Sequence, residues 1–294
     1  MNNLALFFLT ILCWAPAWYI IKFQLGYVDP LISVFYRFLL ASLLIFSYLI
    51  FKKKNLKFSV NHHIWFFIFG TCIYSINYVF FYIANIYVIS AFPAVIYSAS
   101  IIMTIIGEWL IFKRKPTHKT LIGASIGMLG IIIIFNDEIF YFTLDNRAHL
   151  GLFFAFVGTL AASAGNVIHQ RNTNNNFPLI QSIAYASFYG AIITLLFSKI
   201  NHTPILFEYS FRYIVSLIYL SIFSTIFAFI FFLKLIDKVG SGRSAYVSVV
   251  MPPIALLIST YFENLEWQLD LIIGLPFLLI GAILVINQKI KPIS

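Results

Sequence analysis

Ten stretches of about 20 mostly apolar residues follow one another along this chain. They fall at roughly 4–24, 30–51, 63–86, 91–112, 119–136, 150–170, 179–199, 212–236, 242–262 and 270–288. A segment of that length and character crosses a bilayer as a helix. Only 10% of the 294 residues are charged, and 61% are hydrophobic. Soluble domains carry roughly 25% charged residues, because an outer surface in water cannot be this apolar. The sequence therefore predicts an all-α integral membrane protein with ten transmembrane helices, short connections and no soluble domain. The 33 Phe and 17 Tyr suit lipid-facing surfaces and interfacial belts.

The net charge of +9 belongs to membrane orientation and not to nucleic acid, since the basic residues sit in loops between apolar runs. With the N-terminus inside, the cytoplasmic loops hold Lys52, Lys53, Lys54, Lys57, Lys113, Arg114, Lys115, Lys119, Arg171, Lys234, Lys238, Arg243, Lys289 and Lys291. The outer loops hold Lys22, Arg147, Lys199 and Arg212. The positive-inside rule then places both termini in the cytoplasm. Asp29, Asp137, Glu138, Asp145, Glu208, Glu263, Glu266 and Asp270 fall mostly outside. The N-terminus has no basic n-region and no small-residue cleavage site, so the first helix reads as an uncleaved anchor. Cys13 and Cys72 read as small buried hydrophobes on different helices.

An internal repeat is legible. Gly107 to Ile134 ends one helix, crosses a basic loop and opens another with Gly123, Gly127 and Gly130. Pro253 to Ile286 does the same across an acidic loop, with Gly274 and Gly281. The expected domains are a five-helix repeat over 1–140 and a second over 148–290. Five crossings are an odd number, so the second copy is inverted. Inverted repeats are a recurring plan of secondary transporters, with a midplane substrate site between the halves.

The run Asn77-Tyr78, Tyr82-Ile83-Ala84, Ser90-Ala91, Ala94-Val95 and Ser98 resembles the third and fourth helices of EamA-type proteins in the drug/metabolite transporter superfamily. Arg37-Phe38-Leu39-Leu40-Ala41 resembles their second helix and Gly165-Asn166-Val167 their sixth. Tyr219-Leu220, Gly240, Arg243-Ser244, Met251-Pro252-Pro253, Glu266, Gly274 and Gly281 resemble helices eight to ten. The similarity spans nearly the whole chain. It implies a ten-helix inverted-repeat transporter of the inner membrane of a bacterial-type cell, often an exporter of amino acids or related metabolites. The chain departs from the family pattern at Ala99-Ser100, where a mid-helix Pro is common, and at Lys113 to Lys115, where an acid is expected.

Several residues are candidates for transport. Arg37 and Glu108 are charges inside helices, where a charge costs at least about 2.5–3.5 kcal/mol. Two readings of each are open. Glu108 either pairs with Lys113 or another basic residue at the interface, or holds a proton or a substrate amine. Arg37 either snorkels to the outer surface or bonds helix carbonyls, or binds a substrate carboxylate. Tyr74, Asn77, Tyr78, Phe81, Tyr82 and Asn85 recur every three or four residues and share one face of helix three. That face lines either the substrate path or a packed interface. Trp14 near the middle of helix one, Tyr97 and Ser98 on helix four, and Tyr246 on helix nine are further cavity-wall candidates. Asn166 and His169 on helix six either line a cytoplasmic vestibule or are packing residues. Pro252-Pro253 should kink or break helix nine. Gly123-x-x-x-Gly127 is a packing motif, expected to act within the bundle.

The chain has no Walker loop, dinucleotide fingerprint, His-Glu-x-x-His or Cys-x-x-Cys. It offers no recognisable machinery for ATP hydrolysis, hydride transfer or zinc chemistry, and no cofactor, metal or catalytic residue is predicted. The leading expectation is a secondary transporter of a small metabolite, driven by a gradient or by an ion such as H⁺. The alternatives are a membrane-embedded enzyme acting on a lipid-like substrate, or a channel. Oligomeric state is not legible.

Overall fold

A lipid environment supplies no hydrogen-bond partners to a peptide backbone, so every spanning segment must satisfy its own amides. The computed structural model meets that demand with helices, and it describes residues 1–113, 115–136, 147–245 and 247–286. We number the spans α1 (Asn3–Ile20, extended by a 3₁₀ turn Ile21–Gln24), α2 (Pro30–Phe51), α3 (Val60–Tyr87), α4 (Ala91–Phe112) and α5 (His118–Ile134). The second half holds α6 (Ala148–Asn174), α7 (Leu179–Ile200), α8 (Phe211–Val239), α9 (a short turn Ser241–Ser244, then Val247–Phe262) and α10 (Leu269–Ile286). Seven of these are long and apolar enough to cross a membrane, and α5, α9 and α10 contain shorter apolar helices.

Local sequence sets several ends. Asp29 accepts from the Leu31 N–H at 2.8 Å, with Pro30 in the first turn of α2. Asn2 accepts from Ala5 N–H at 2.7 Å to start α1, and Ser210 caps α8 through Tyr213 N–H at 3.2 Å. Helix α8 runs further than expected, so Lys234 and Asp237 lie inside a helix and not in a loop. Arg114, Asp137, Glu138, Asp145, Tyr246, Lys289 and Lys291 lie outside the described residues.

The bundle is apolar on its outside as well as within. Leu12, Phe51, Leu196, Phe211 and Tyr261 are among many large side chains more than half exposed, a surface that only lipid can cover. Successive spans alternate direction. Lys238 reaches the Met1 carbonyl at 2.8 Å and Tyr185 the Leu56 carbonyl at 2.7 Å, which fixes one face of the bundle, here the near face. Gln24 reaches the Tyr213 carbonyl at 3.0 Å on the opposite, far face.

The packing follows a pseudo-two-fold pattern. α2 packs on α7, α4 on α9 and α5 on α10, each helix on its own counterpart five spans along. The α1–α8 contact is matched by α6–α3, α1–α9 by α6–α4, and α3–α7 by α8–α2. Exchanging each helix for its counterpart maps this set of contacts onto itself. Because five spans separate counterparts, the two halves enter the bilayer from opposite faces.

The α5–α10 seam depends on glycine. A Cβ on Gly281 would strike the backbone of Gly123 and Gly127, and one on Gly130 or Gly274 would strike the opposite helix. The Gly123-x-x-x-Gly127 motif therefore packs inside the bundle.

Two helices share an irregularity in the same place. α3 carries a π-helical turn at Thr71–Asn77, and its counterpart α8 carries one at Ile222–Phe227. α4 is interrupted at Ser98–Ala99, although no proline stands there. Pro252 and Pro253, in contrast, lie within a helix that runs on from Val247 to Phe262. The prolines remove two amide donors, but each fixes a helical φ, and a helix packed among neighbours tolerates the loss.

Candidate functional site

The centre of the bundle holds a cavity of about 40 Å³. Its wall comes from three counterpart pairs of helices. α1 gives Trp14, Ala17, Trp18 and Ile21, and α6 gives Ala162 and Asn166. α3 gives Ile73, Asn77, Tyr78 and Phe81, and α8 gives Ser224, Phe229 and Phe232. α4 and α9 add Tyr97 and Met251. The π turns lie in this wall. Opening the i→i+5 register leaves carbonyls free, and Trp14 Nε1 donates to the Ser224 carbonyl at 2.8 Å. The aromatic rings interlock edge to face, Trp18 on Phe81 at 4.9 Å and Trp14 on Phe229 at 5.1 Å. An apolar cavity that takes benzene needs about 150 Å³, so a metabolite enters only if these helices move apart.

Of the sequence candidates, Trp14, Asn77, Tyr78, Tyr97 and Asn166 line the cavity. Tyr74 and Tyr82 do not; both are fully buried in helix packing behind the wall. Ser98 donates to the Val95 carbonyl at 2.6 Å and borders a separate small pocket toward α5 and α10. Tyr246 lies outside the described residues. Phe81, from the helix-three face, lines the cavity too, whereas Trp18, Ser224, Phe229, Phe232 and Met251 have no sequence signal, because an apolar side chain facing a cavity carries the same sequence pattern as one facing a neighbour. His169 is 3% exposed, and its Nε2 lies 3.0 Å from Asp237 Oδ1. Thr173 donates to the same oxygen at 2.6 Å. His169 thus ties α6 to α8 near the near face, and Asp237 is a residue the sequence reading overlooked.

Arg37 does not snorkel. It is fully buried, about two turns into α2. Nε donates to Thr225 Oγ1 and Nη2 to Ser224 Oγ, each at 3.0 Å, so the guanidinium grips the π turn of α8. Its carbon lies 4.3 Å from the Tyr78 ring centroid and 5.2 Å from that of Phe38. Its contacts are with hydroxyls and aromatic rings in the interior.

Glu108 does not pair with Lys113. Lys113 caps α4 in a left-handed turn and is exposed. Glu108 faces inward, where it accepts from the Ser241 hydroxyl and from Gly242 N–H at 3.2 Å. Ser241 N–H donates to Gln170 Oε1 at 3.0 Å. The far face has a matching clasp. Glu263, at the end of α9, accepts from the Ser90 hydroxyl, from Ser90 N–H at 3.3 Å and from the Ser259 hydroxyl at 2.6 Å. Lys22 Nζ stands 3.5 Å from Glu263 and donates to the Val88 carbonyl at 2.9 Å. Each clasp sets a carboxylate against the start of the opposing helix, where unpaired amides favour negative charge. A hollow of about 260 Å³ adjoins the far clasp, lined in part by Asn264, Glu266, Gln268 and Asp270.

Among the described residues, ten apolar helices in two five-helix sets, with a cavity where the sets meet, define a multi-span membrane protein of two repeats. The chain belongs to the EamA-like transporter family, whose model matches residues 2–136 and again 149–287. It is similar to an uncharacterized transporter of Clostridium kluyveri, 23% identical over 264 residues, covering 89% of this chain and 85% of that one. An uncharacterized transporter of Archaeoglobus fulgidus is 23% identical over 290 residues, covering 96% and 97%. The uncharacterized transporter YoaV of Bacillus subtilis is 20% identical over 265 residues, covering 90% and 89%. A crystal structure of a protein shares the fold with a TM-score of 0.71 at 15% identity, over 96% of this chain and 95% of that one. These relatives place the chain among membrane transporters.

Proposed function

We propose that the protein is a secondary transporter that moves a small metabolite, an amino acid or related solute, by alternating access across the inner membrane, with both termini in the cytoplasm. The observation that carries this reading is a central cavity flanked along α4 and α9 by like clasps between those helices. Tyr97 and Met251 mark the cavity on those helices. Along α4, Ser90 lies seven residues before Tyr97 and Glu108 eleven after, roughly 10 Å and 16 Å along the axis. Releasing Glu108 from Ser241 opens the near face; releasing Glu263 from Ser90 opens the far face. The pseudo-two-fold makes the two open forms related arrangements of one packing scheme, which is the physical basis of exchange between them.

The direction favoured is export, which rests on family likeness. H⁺ is the coupling ion favoured, with Glu108 as its carrier. Protonating this carboxylate removes an acceptor site and its charge, which loosens the near-face clasp. The test is counterflow in proteoliposomes with a panel of labelled metabolites. Exchange of a solute class above empty vesicles supports the reading. A folded, reconstituted protein that exchanges none of the panel contradicts it.

A further inference from the structure

We propose that Arg37 is the recognition point for a carboxylate on the transported solute, and that the solute is an organic acid with an apolar body. This rests on the transporter reading and adds the substrate's chemistry to it.

Charge bookkeeping carries the argument. Arg37 is a fully buried cation whose bonded partners are two hydroxyls and two aromatic rings, all neutral. The side-chain ion pairs found among the described residues are Lys22 with Glu263 and His169 with Asp237, so none includes Arg37. Its Nη1 has no hydrogen-bond partner among them. A buried guanidinium without an anion is unfavourable by several kcal/mol, and unspent N–H groups add to that cost. The corresponding α3–α7 interface is tied by a neutral pair instead, Ser75 with Thr194 at 2.9 Å. A hydroxyl pair can therefore hold such a crossing, and the cation is surplus to packing.

The surplus charge stands one side chain behind the cavity. Tyr78 and Ser224 both line the cavity and both touch the guanidinium. A further buried polar group on α3, the hydroxyl of Tyr74, also has no hydrogen-bond partner among the described residues, while the neutral phenol of Tyr82 stands beside the guanidinium. A shift of Tyr78 as the wall helices part presents Nη1 to the cavity. A carboxylate there takes N–H groups from the end of the planar fork, the geometry in which arginine binds anions best. The rest of the wall is mostly apolar, with Trp14, Trp18, Phe81, Phe229 and Phe232 its largest side chains and the amides of Asn77 and Asn166 its neutral polar groups. It contains no carboxylate to neutralise a cationic solute, and it suits an apolar body.

The test compares three ligands of one shape: 3-phenylpropionate, its primary amide, and phenethylamine. Binding to purified full-length protein is read by thermal shift and by quenching of tryptophan fluorescence. The expected result is binding of the acid over the amide and the amine. Arg37→Met should weaken the acid's binding on the order of 10- to 100-fold, and Arg37→Lys should recover part of it. Arg37→Met should also melt no lower than wild type without ligand, because it removes an uncompensated charge. Equal binding of acid and amide by the folded wild type overturns the proposal. So does unchanged acid preference in Arg37→Met, or a sharp drop in its melting temperature with preference intact, which marks a structural clamp. Acid-selective binding without counterflow would sink the transporter reading and leave this site standing.

Discussion

Ser241, in the first turn of α9, donates its hydroxyl proton to the carboxylate of Glu108, near the end of α4. Ser90, just before α4, does the same to Glu263 at the end of α9. Two antiparallel helices thus exchange caps, each closing the other's N-terminus with an acid from its own last turns. The arrangement joins the local chemistry of helix ends to the function. A cap made within one helix only stabilises that helix, whereas a cap made across two helices breaks when they separate.

Replacing Glu108 by Gln keeps an acceptor oxygen but removes its charge. Charge-assisted hydrogen bonds are about twice as strong as neutral ones, so the near-face clasp should weaken by on the order of 1 kcal/mol. Among the described residues, the groups bonded to Glu108 are Ser241 and Gly242, with Gln170 behind Ser241. None of these titrates near neutral pH. If Glu108 carries the proton, counterflow by Glu108→Gln should lose its dependence on pH. A pH profile identical to wild type would remove Glu108 from that role.

The α5–α10 seam gives a stability prediction that is internal to one interface. A Cβ on Gly281 meets the amide and Cα of Gly127 and the carbonyl of Gly123, which are backbone atoms that cannot rotate away. A Cβ on Gly127 meets nothing closer than the Leu278 carbonyl at 4.0 Å. Gly281→Ala should therefore cost roughly 1–3 kcal/mol, the usual range for overpacking. Gly127→Ala should stay within about 0.5 kcal/mol of wild type. Thermal melting in detergent checks the contrast, and equal losses from both variants would contradict it.

Much of the fold was legible because lipid imposes a simple rule: about twenty apolar residues per crossing. The ten predicted spans match the observed helices to within a few residues, and the repeat emerged from glycine and loop charge. The site was legible only where a polar or bulky residue stood alone in an apolar run, as with Trp14, Asn77 and Asn166. The depth of Arg37 in helix two is legible, but its partners Ser224 and Thr225 are not, since they lie 187 and 188 residues away along the chain. The π turns have no sequence signature, so the wall they shape was hidden. Glu263 was counted as a loop acid. Aligning the ends of helices four and nine would have set it beside Glu108 and exposed the paired clasps.

The positive-inside argument predicts membrane sidedness directly. The near face carries Lys52, Lys53, Lys54 and Lys57, together with the start of α1. Epitope tags at both chain ends should be protected in right-side-out vesicles and become accessible on permeabilisation. Tags exposed on opposite sides would mean an odd number of crossings and would undo the inverted repeat.

In this scheme each clasp closes one face of a shared cavity. The most direct measurement places a cysteine on the cavity wall, Asn166→Cys, in a chain with Cys13→Ala and Cys72→Ala. A membrane-impermeant maleimide is then applied from each side. Glu108→Gln should raise labelling from the near face, and Glu263→Gln should raise it from the far face. If both variants raise labelling from the same face, or either opens both faces at once, the clasps are not alternating gates and the account fails.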